Sequence, residues 1–153
     1  MIEVHTEVLD QTIRVHPPTV ERFVRMVMAE HGVLEGNVTV IFGKDEMLRD
    51  LKSRFLGEDA FTDVIAFRLD QTPEGPVPGD DSFEGEIYIS PQRASENADK
   101  YGIPIQNELS RLIFHGSLHL LGYEDDTPQH RTGMRRLEDG YLGRIKTEEL
   151  STP

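Results

Sequence analysis

His115-Gly-Ser-Leu-His119-Leu-Leu-Gly122-Tyr-Glu-Asp125 ends a long apolar run with helical periodicity. Residues four apart in a helix share a face, with Cβ atoms about 5–6 Å apart, so His115 and His119 can present two imidazoles to one ion. Gly122 favours the left-handed conformation that ends a helix, after which Asp125 can approach both histidines. Two imidazoles and one carboxylate, with a position left open for water or substrate, form the donor set of a catalytic zinc site. The pattern therefore predicts that His115, His119 and Asp125 bind a metal ion.

Alternatives remain for the third ligand and for the ion. Asp126 is the neighbour of Asp125, and His130 lies beyond Pro128 on the next predicted helix. The spacing favours Asp125. Zinc is the expected ion, one per chain, although nitrogen and oxygen donors also suit Ni²⁺ or another divalent ion. Two histidines four apart are also common as ordinary packed or exposed helix residues, and it is the glycine followed by a carboxylate that favours a metal site.

Metallopeptidases with a similar histidine spacing carry a glutamate directly after the first histidine, where it acts as general base. Gly116 stands at that position here. A glycine without a side chain instead permits another element to approach the helix closely at the level of the ligands. A peptidase reaction would need its proton acceptor from another residue, such as Glu124.

Three motifs follow one another along the chain. They are Thr62-Asp-Val-Ile-Ala-Phe67, Gly85-Glu-Ile-Tyr-Ile-Ser90 and the His115–Tyr123 stretch. In this order they resemble the YbeY-type endoribonucleases, a family of metal-dependent rRNA maturation factors. The resemblance implies a single-strand-specific, metal-dependent endoribonuclease that acts in rRNA maturation and ribosome quality control. It also implies an rRNA precursor as substrate and the ribosome or a ribosome-assembly protein as partner, with neither DNA nor a membrane expected.

Two positions depart from the family pattern. The family usually has a third histidine where this chain has Asp125, and an arginine where this chain has Leu56. Asp125 still completes a sound ligand set, whereas Leu56 cannot contact phosphate. The basic residues Arg49, Lys52 and Arg54 on the same predicted helix are the candidates for substrate binding. The alternative for all three is an ordinary solvated helix face.

Acid and base candidates flank the third ligand. Glu124 and Asp126 are weak candidates for general acid or base, and each also suits a structural or solvated role. Asp63 is a candidate partner that would hold a ligand histidine from behind. Tyr123 is expected to pack after the helix end.

Length, charge and composition limit the possible classes of protein. The chain has 153 residues and is expected to form a single domain over residues 1–153. It has no cysteine, hence no thiolate metal site, and no apolar run of the roughly 20 residues that span a bilayer. The cytoplasm is the expected location. The formal net charge of -12 opposes non-specific binding to nucleic acid, so productive RNA binding would need a local basic groove or a partner that positions the RNA.

Hydrophobic periodicity predicts an alternation of strands and helices. Strands are predicted at 2–8, 34–42, 61–69 and 84–90, and helices at 17–31, 45–56, 91–101, 104–121 and 128–150, with a loop at 70–83. Asp45 is expected to cap the second helix, and Phe55 to lie in its buried stripe. Together with the resemblance, this order implies an α+β fold. A small mixed sheet of about four strands would be covered by helices, with the metal site on the C-terminal side of a core helix.

Two other functions are compatible with the sequence. A metal-dependent hydrolase of a peptide or small amide would explain the histidine spacing and the acidic surface. A non-enzymatic ribosome-assembly module with a structural metal would explain Leu56. The ribonuclease is preferred because it alone accounts for all three motifs.

Overall fold

The computed structural model describes residues 1–72, 74–76 and 83–151. Its strands are β1 (Glu3–Val8), β2 (Gly36–Phe42), β3 (Val64–Arg68), β4 (Gln71–Thr72), β5 (Gly75–Pro76) and β6 (Phe83–Ile89). Its helices are α1 (Pro17–Glu30), α2 (Asp45–Leu56), α3 (Pro91–Tyr101), α4 (Ile105–Leu120) and α5 (Pro128–Leu142), followed by a 3₁₀ helix at Thr147–Ser151. None of the helices in these ranges is long and apolar enough to cross a membrane.

Four strands form a mixed sheet in the order β1-β2-β6-β3. β1, β2 and β6 run parallel, with Val38 paired to Val4 on one side and to Gly85 on the other. β3 is an antiparallel edge strand in which Ala66 pairs with Ile87. The α+β fold with a four-stranded mixed sheet is therefore confirmed.

The alternation of side chains along the strands decides which face of the sheet is buried. In β6, Gly85, Ile87 and Ile89 are buried, whereas Glu84 and Glu86 between them are half-buried. Helices α1 and α4 pack against the strands, and their apolar residues join those of the sheet in the hydrophobic core. Helix α4, which carries His115 and His119, therefore lies directly on the sheet.

Glycines allow α4 to approach the sheet closely. A Cβ atom at Gly116 would lie 2.5 Å from Cγ2 of Ile87, and one at Gly85 would lie 2.8 Å from Cδ1 of Leu120. The close approach expected at Gly116 is confirmed, and the element that approaches is β6. The turns of α4 that carry His115 and His119 are thereby held close to β6.

The two ends of α3 are defined by their terminal residues. The Ser90 side chain accepts a hydrogen bond from the backbone N–H of Arg93, and Pro91 occupies the first helical position. Gly102 ends the helix with φ of 66° in the left-handed region. This junction carries the chain from β6 onto the helices that surround the candidate site.

Two predictions about α2 were wrong. Asp45 is the first helical residue and does not cap the helix, because its buried carboxylate accepts hydrogen bonds from Ser90 and Arg93 of α3 instead. Phe55 is 63% exposed, although its ring contacts that of Phe67 on β3 at 5.5 Å between centroids. The C-terminal half of α2 extends beyond the core, so a helical period there does not imply burial.

Two further boundaries differ from the prediction. The last helix ends at Leu142, and the chain then turns so that Leu150 of the 3₁₀ helix packs, fully buried, in the core. Within the predicted loop 70–83, Gln71–Thr72 pairs antiparallel with Gly75–Pro76. Residues 73 and 77–82 of that loop lie outside the described residues.

Candidate metal centre and adjoining cleft

The last turns of α4 present both histidines on one face, and the chain then reverses over them. Gly122 has φ of 97°, which L side chains rarely adopt, and the backbone N–H of Tyr123 returns to the carbonyl of Leu118. The chain continues to Asp125, which lies beside the two imidazoles. The left-handed turn at Gly122 thus brings the carboxylate to the histidines, in the manner expected from its position.

Three side-chain atoms converge at this point. Nε2 of His115 and Nε2 of His119 are 2.9 Å apart, and Oδ2 of Asp125 lies 3.2 Å and 3.4 Å from them. Side-chain exposure rises from 18% for His115 to 28% for His119 and 43% for Asp125, so one side of the group is open to solvent. The three side chains predicted as ligands are therefore brought together in a position that solvent reaches.

The second ring nitrogen of each imidazole, Nδ1, has a hydrogen-bond partner in the protein. Nδ1 of His119 lies 2.9 Å from the backbone carbonyl of Tyr123, which can only accept, so this nitrogen donates. Nδ1 of His115 lies 2.7 Å from Oε2 of Glu138 on α5. Glu138 is only 4% exposed, and its other carboxyl oxygen accepts a hydrogen bond from Arg111. Each neutral imidazole is thus fixed in the tautomer that leaves its Nε2 lone pair facing the other.

The types and separations of these three acceptor atoms can be compared with those that a bound metal ion requires. Two Nε2 lone pairs and a carboxylate oxygen meet with no donor among them, an arrangement that requires a proton or a cation at its centre. Donor atoms about 2.0–2.1 Å from a tetrahedral ion are about 3.3 Å apart, close to the separations between these three atoms. The donor set and its spacing therefore fit a divalent ion with an open fourth position.

The pKa values of the two histidines diverge. Burial lowers the pKa of the His115 imidazole, but the Glu138 and Asp125 carboxylates outweigh it and hold the pKa above its ordinary value. Burial and the neighbouring charge of His115 hold the pKa of His119 below its ordinary value. The surroundings of His115 thus favour a positive charge at the point where the three acceptors meet.

A cleft of about 510 Å³ adjoins the three side chains, within the size range of ligand sites. One wall is formed by the start of β3, by α3 and by α4, and the other by α5. The lining residues are Asp63, Val64, Asn97, Tyr101, Ile103, Glu108, Arg111, Leu112, His115, Asp125, Arg131, Met134, Arg135 and Glu138. A molecule in this cleft would contact His115 and Asp125 directly.

Comparison with known proteins decides the family. The model of the family described as Endoribonuclease YbeY matches residues 5–146. An Endoribonuclease YbeY of Chlorobaculum parvum is 37% identical over 123 residues, which are 80% of this chain and 82% of the relative. Another, of Chlorobium phaeovibrioides, is 35% identical over 153 aligned positions that cover 92% of this chain and 98% of the relative. The chain belongs to the YbeY endoribonuclease family. The resemblance carried by the three motifs is thereby confirmed.

A solved structure supports the fold. The solution structure of a Thermotoga maritima protein matches with a TM-score of 0.53 and 24% sequence identity, over 94% of this chain and 91% of that one. At this identity the match indicates a shared fold.

The predicted substrate-binding residues of α2 are engaged with acidic neighbours. Arg49 pairs with Asp59 at 2.7 Å, Lys52 with Glu58 at 3.4 Å and Arg54 with Asp50 at 3.3 Å. Leu56, at the position of the YbeY family arginine, is 56% exposed. No residue of α2 is among those that line the described part of the cleft. The role of Arg49, Lys52 and Arg54 in substrate binding stays a prediction.

The other acidic candidates form a second, exposed group. Nδ1 of His130 lies 2.6 Å from Oδ1 of Asp126, and Glu124 lies close enough for the three side chains to meet. The Asp126 carboxylate holds the pKa of His130 above its ordinary value. Asp126 and His130, the alternative third ligands, thus pair with each other, and Asp125 alone among the candidates lies against both histidines of the YbeY motif.

Several cleft residues escaped the sequence analysis. Glu138, rather than Asp63, contacts His115 from behind, whereas Asp63 accepts a hydrogen bond from Asn97. The Asn97 amide also donates to Glu108, a 6% exposed carboxyl whose pKa is raised by burial. The sequence did contain a signal for Glu138. It lies four residues after Met134, on the same face of the helix, and that face is buried. A charged residue at a buried helical position is rare without a partner.

Proposed function

We propose that this chain is a metal-dependent endoribonuclease that cleaves single-stranded RNA in rRNA maturation and ribosome quality control. The observation that carries the proposal is the convergence of Nε2 of His115, Nε2 of His119 and Oδ2 of Asp125 at the mouth of a cleft. Membership of the YbeY endoribonuclease family gives the class of reaction. The proposed substrate is an rRNA precursor, with the ribosome or a ribosome-assembly protein as partner and the cytoplasm as the location.

We further propose one Zn²⁺ per chain, held by His115, His119 and Asp125. The donor types and the spacing of the three atoms suit zinc, and Ni²⁺ or another divalent ion would accept the same donors. When bound, the ion supplies Lewis acidity, which lowers the pKa of a coordinated water toward about 7 and stabilises negative charge that develops on the phosphoryl group.

The protein supplies the orientation of the donors. The hydrogen bonds from His115 to Glu138 and from His119 to the Tyr123 carbonyl fix the two rings and expose Nε2. Arg111 in turn holds Glu138 at 2.8 Å, so the position of the first imidazole depends on an ion pair between α4 and α5. These contacts keep the donors in the geometry for binding before any ion arrives.

Glu108 is the proposed proton carrier of the cleft. It is buried and lies on the same face of α4 as His115, seven residues earlier. Burial raises its pKa, so it retains a proton to higher pH than an exposed glutamate, as a general acid requires. Gly116 packs against Ile87 and offers no proton acceptor, which argues against the peptidase reaction.

The test compares two histidine variants. Wild type, His119→Ala and His130→Ala are dialysed together, their metal content is measured by elemental mass spectrometry, and cleavage of a single-stranded RNA is followed. We expect about one equivalent of zinc in wild type and in His130→Ala, with RNA cleavage by both. His119→Ala should lose metal and cleavage together, because one of three protein donors is removed.

Cleavage by metal-free His119→Ala would refute the proposed reaction. Loss of metal in His130→Ala would instead show that the third ligand is misassigned. Metal-dependent turnover of peptides by an enzyme that leaves RNA intact would favour the hydrolase of peptides or small amides. Ribosome binding without cleavage in the presence of added metal would favour the structural module.

A further inference from the structure

Eight of the 16 basic side chains of this acidic protein are already paired with carboxylates. The residues in ion pairs are Arg22, Arg49, Lys52, Arg54, Arg68, Arg93, Arg111 and Arg144. A paired guanidinium must give up its carboxylate before it can bind phosphate. The basic residues of α2 are therefore poor sites for an RNA strand.

Two arginines of α5 differ from these. Arg131 and Arg135 line the cleft beside His115 and Asp125, and both are exposed. Neither forms an ion pair with any carboxylate in the described part of the chain. Arg131 makes one hydrogen bond, from Nη1 to the backbone carbonyl of Asp125 at 3.3 Å, which leaves its other donors available. The cleft thus has a wall with two cationic groups that form no direct ion pair among the described residues, although Arg135 acts at longer range on Glu108 and Arg131 on Asp126.

The charges of the cleft are separated between its walls. Asp63 and Glu108 lie on the opposite side, where both accept hydrogen bonds from the Asn97 amide at 3.0 Å. Glu138 is neutralised by Arg111 on the floor of the cleft. A polyanion that enters is therefore repelled by Asp63, next to the start of β3, and attracted to the arginines of α5.

We propose that Arg131 and Arg135 bind successive phosphates of the RNA strand next to the scissile phosphate. The proposal rests on the proposed function. The two residues are one helical turn apart, so their side chains project from the same face of α5. Guanidinium groups bind phosphate oxygens through parallel N–H donors, and such contacts orient a strand without reading its sequence. The bound strand would run along α5 and reach His115 and Asp125 at the cleft mouth.

The same helix offers a matched control. Arg136 is also exposed and unpaired among the described residues, but it borders a different surface depression with Pro128 and Thr132 rather than the cleft. Arg136→Gln therefore removes the same charge from the same helix without touching the proposed binding wall. A variant of α2, Arg49→Gln/Arg54→Gln, tests the site predicted from the sequence.

The experiment measures binding rather than turnover. Purified full-length protein with its bound metal is titrated into a fluorescent single-stranded 2′-O-methyl RNA, and anisotropy is recorded at several KCl concentrations. The integrity of the RNA is checked on a gel. For Arg131→Gln/Arg135→Gln we expect binding to weaken roughly tenfold at low salt and the slope of log K against log[KCl] to fall in magnitude by about 1.4, since two single-strand phosphate contacts are lost. Arg136→Gln should bind as wild type does, whereas weakened binding by the α2 variant in place of Arg131→Gln/Arg135→Gln would locate the strand on α2 and overturn the inference.

Several outcomes would overturn the inference. If wild type binds and cleaves RNA while Arg131→Gln/Arg135→Gln binds equally well, the phosphate wall is refuted and the proposed function stands. If Arg136→Gln weakens binding as much, net charge rather than position is responsible, and the inference also fails. If wild type neither binds nor cleaves RNA, the proposed function itself fails. Because Arg131 also contacts the Asp125 carbonyl, the metal content of each variant is measured. RNA binding by Arg135→Gln alone then separates the loss of a phosphate contact from an effect on Asp125.

Discussion

At the scale of single residues, the side chain of Glu138 holds the His115 ring of the proposed metal site in position. It is almost fully buried, it contacts Nδ1 of His115 at 2.7 Å, and Arg111 holds it from the other side. Carboxylates that accept from a ligand histidine raise its basicity and fix its ring, and their loss typically weakens metal binding 10–100-fold. The affinity of the proposed metal site should therefore depend on a residue that is not one of its three proposed ligands.

Glu138→Gln should consequently weaken zinc binding by about 10–100-fold. The amide removes the negative charge, and only one of its atoms can still accept. Competition with a chromophoric chelator measures the zinc affinity, and thermal unfolding of the metal-free variants reports on folding. Asp139→Asn is the matched control, because Asp139 pairs with the same Arg111 from an exposed position and does not contact His115. Equal affinities of the two variants would contradict this role of Glu138.

At the scale of elements, the contact between α4 and β6 depends on the absence of a side chain at Gly116. A Cβ atom there would overlap Ile87, which is itself fully buried. Overpacking of a dense core costs typically about 1–3 kcal/mol. The helix that carries both histidines would have to move away from the sheet.

Gly116→Ala should therefore destabilise the protein by about 1–3 kcal/mol, even though alanine favours a helix by about 1 kcal/mol over glycine. Gly133 in α5 provides the control, because a Cβ atom there would meet nothing within 4 Å. Gly133→Ala should stabilise by up to about 1 kcal/mol through helix propensity alone. Urea unfolding of both variants measures the difference. A stabilising Gly116→Ala would show that α4 can shift without cost.

A second link between elements joins β3, β6 and the end of α4. Arg68 donates to both oxygens of Asp70 at 2.7 Å and to the carbonyl of Leu120 at 3.0 Å, and its guanidinium lies 3.9 Å from the Phe83 ring. The hydrogen bonds from Arg68 hold the pKa of the Asp70 carboxyl below its usual value of 3.8. The ionised form of Asp70 is thus favoured by folding.

The contribution of Asp70 should depend on pH. Because its folded pKa is depressed, its stabilisation is fully present above pH 3.8 and is lost as pH falls through the lower folded pKa. Asp70→Asn should cost about 1–3 kcal/mol at pH 7, and the difference from wild type should shrink progressively below pH 4. Asp99→Asn, at an exposed position of α3, should stay within about 0.5 kcal/mol of wild type. A pH-independent effect of Asp70→Asn in urea unfolding would contradict the proposed linkage.

At the scale of the whole molecule, the net charge of -12 limits where on its surface the protein can bind RNA. Non-specific attraction is opposed because 28 acidic residues outnumber 16 basic ones, and eight of the basic residues are in internal ion pairs. Arg131 and Arg135 in the cleft, together with the bound ion, would supply the positive charge that RNA encounters. Binding should then be local and directed to the proposed site.

The salt dependence of RNA binding should therefore be shallow. With few phosphate contacts, the slope of log K against log[KCl] for wild type should have a magnitude below about 3, at about 0.7 for each contact on a single strand. Fluorescence anisotropy between low and physiological KCl concentrations gives the slope. A magnitude of about 5 or more would point to an extended basic surface that the described residues do not provide.

The sequence by itself determined the features that depend on near neighbours. The four-residue spacing of His115 and His119, the left-handed break at Gly122 and the Ser90 cap all follow from local backbone geometry. The alternation of apolar residues likewise determined the main strands, and their order together with the family resemblance gave the α+β class. These features could be predicted because the interacting residues lie within a few positions of one another.

Only the tertiary structure decided which distant residues meet at the site. Glu138 reaches His115 from 23 residues away, and Arg135 enters the cleft because α5 packs beside α4. The exposure of Phe55 and the recruitment of Asp45 by α3 also depend on how helices dock on the sheet. A helical period specifies that one face is buried, but the partner of that face is chosen by packing over the whole chain. The arrangement around the metal-binding motif therefore had to be read from the folded molecule.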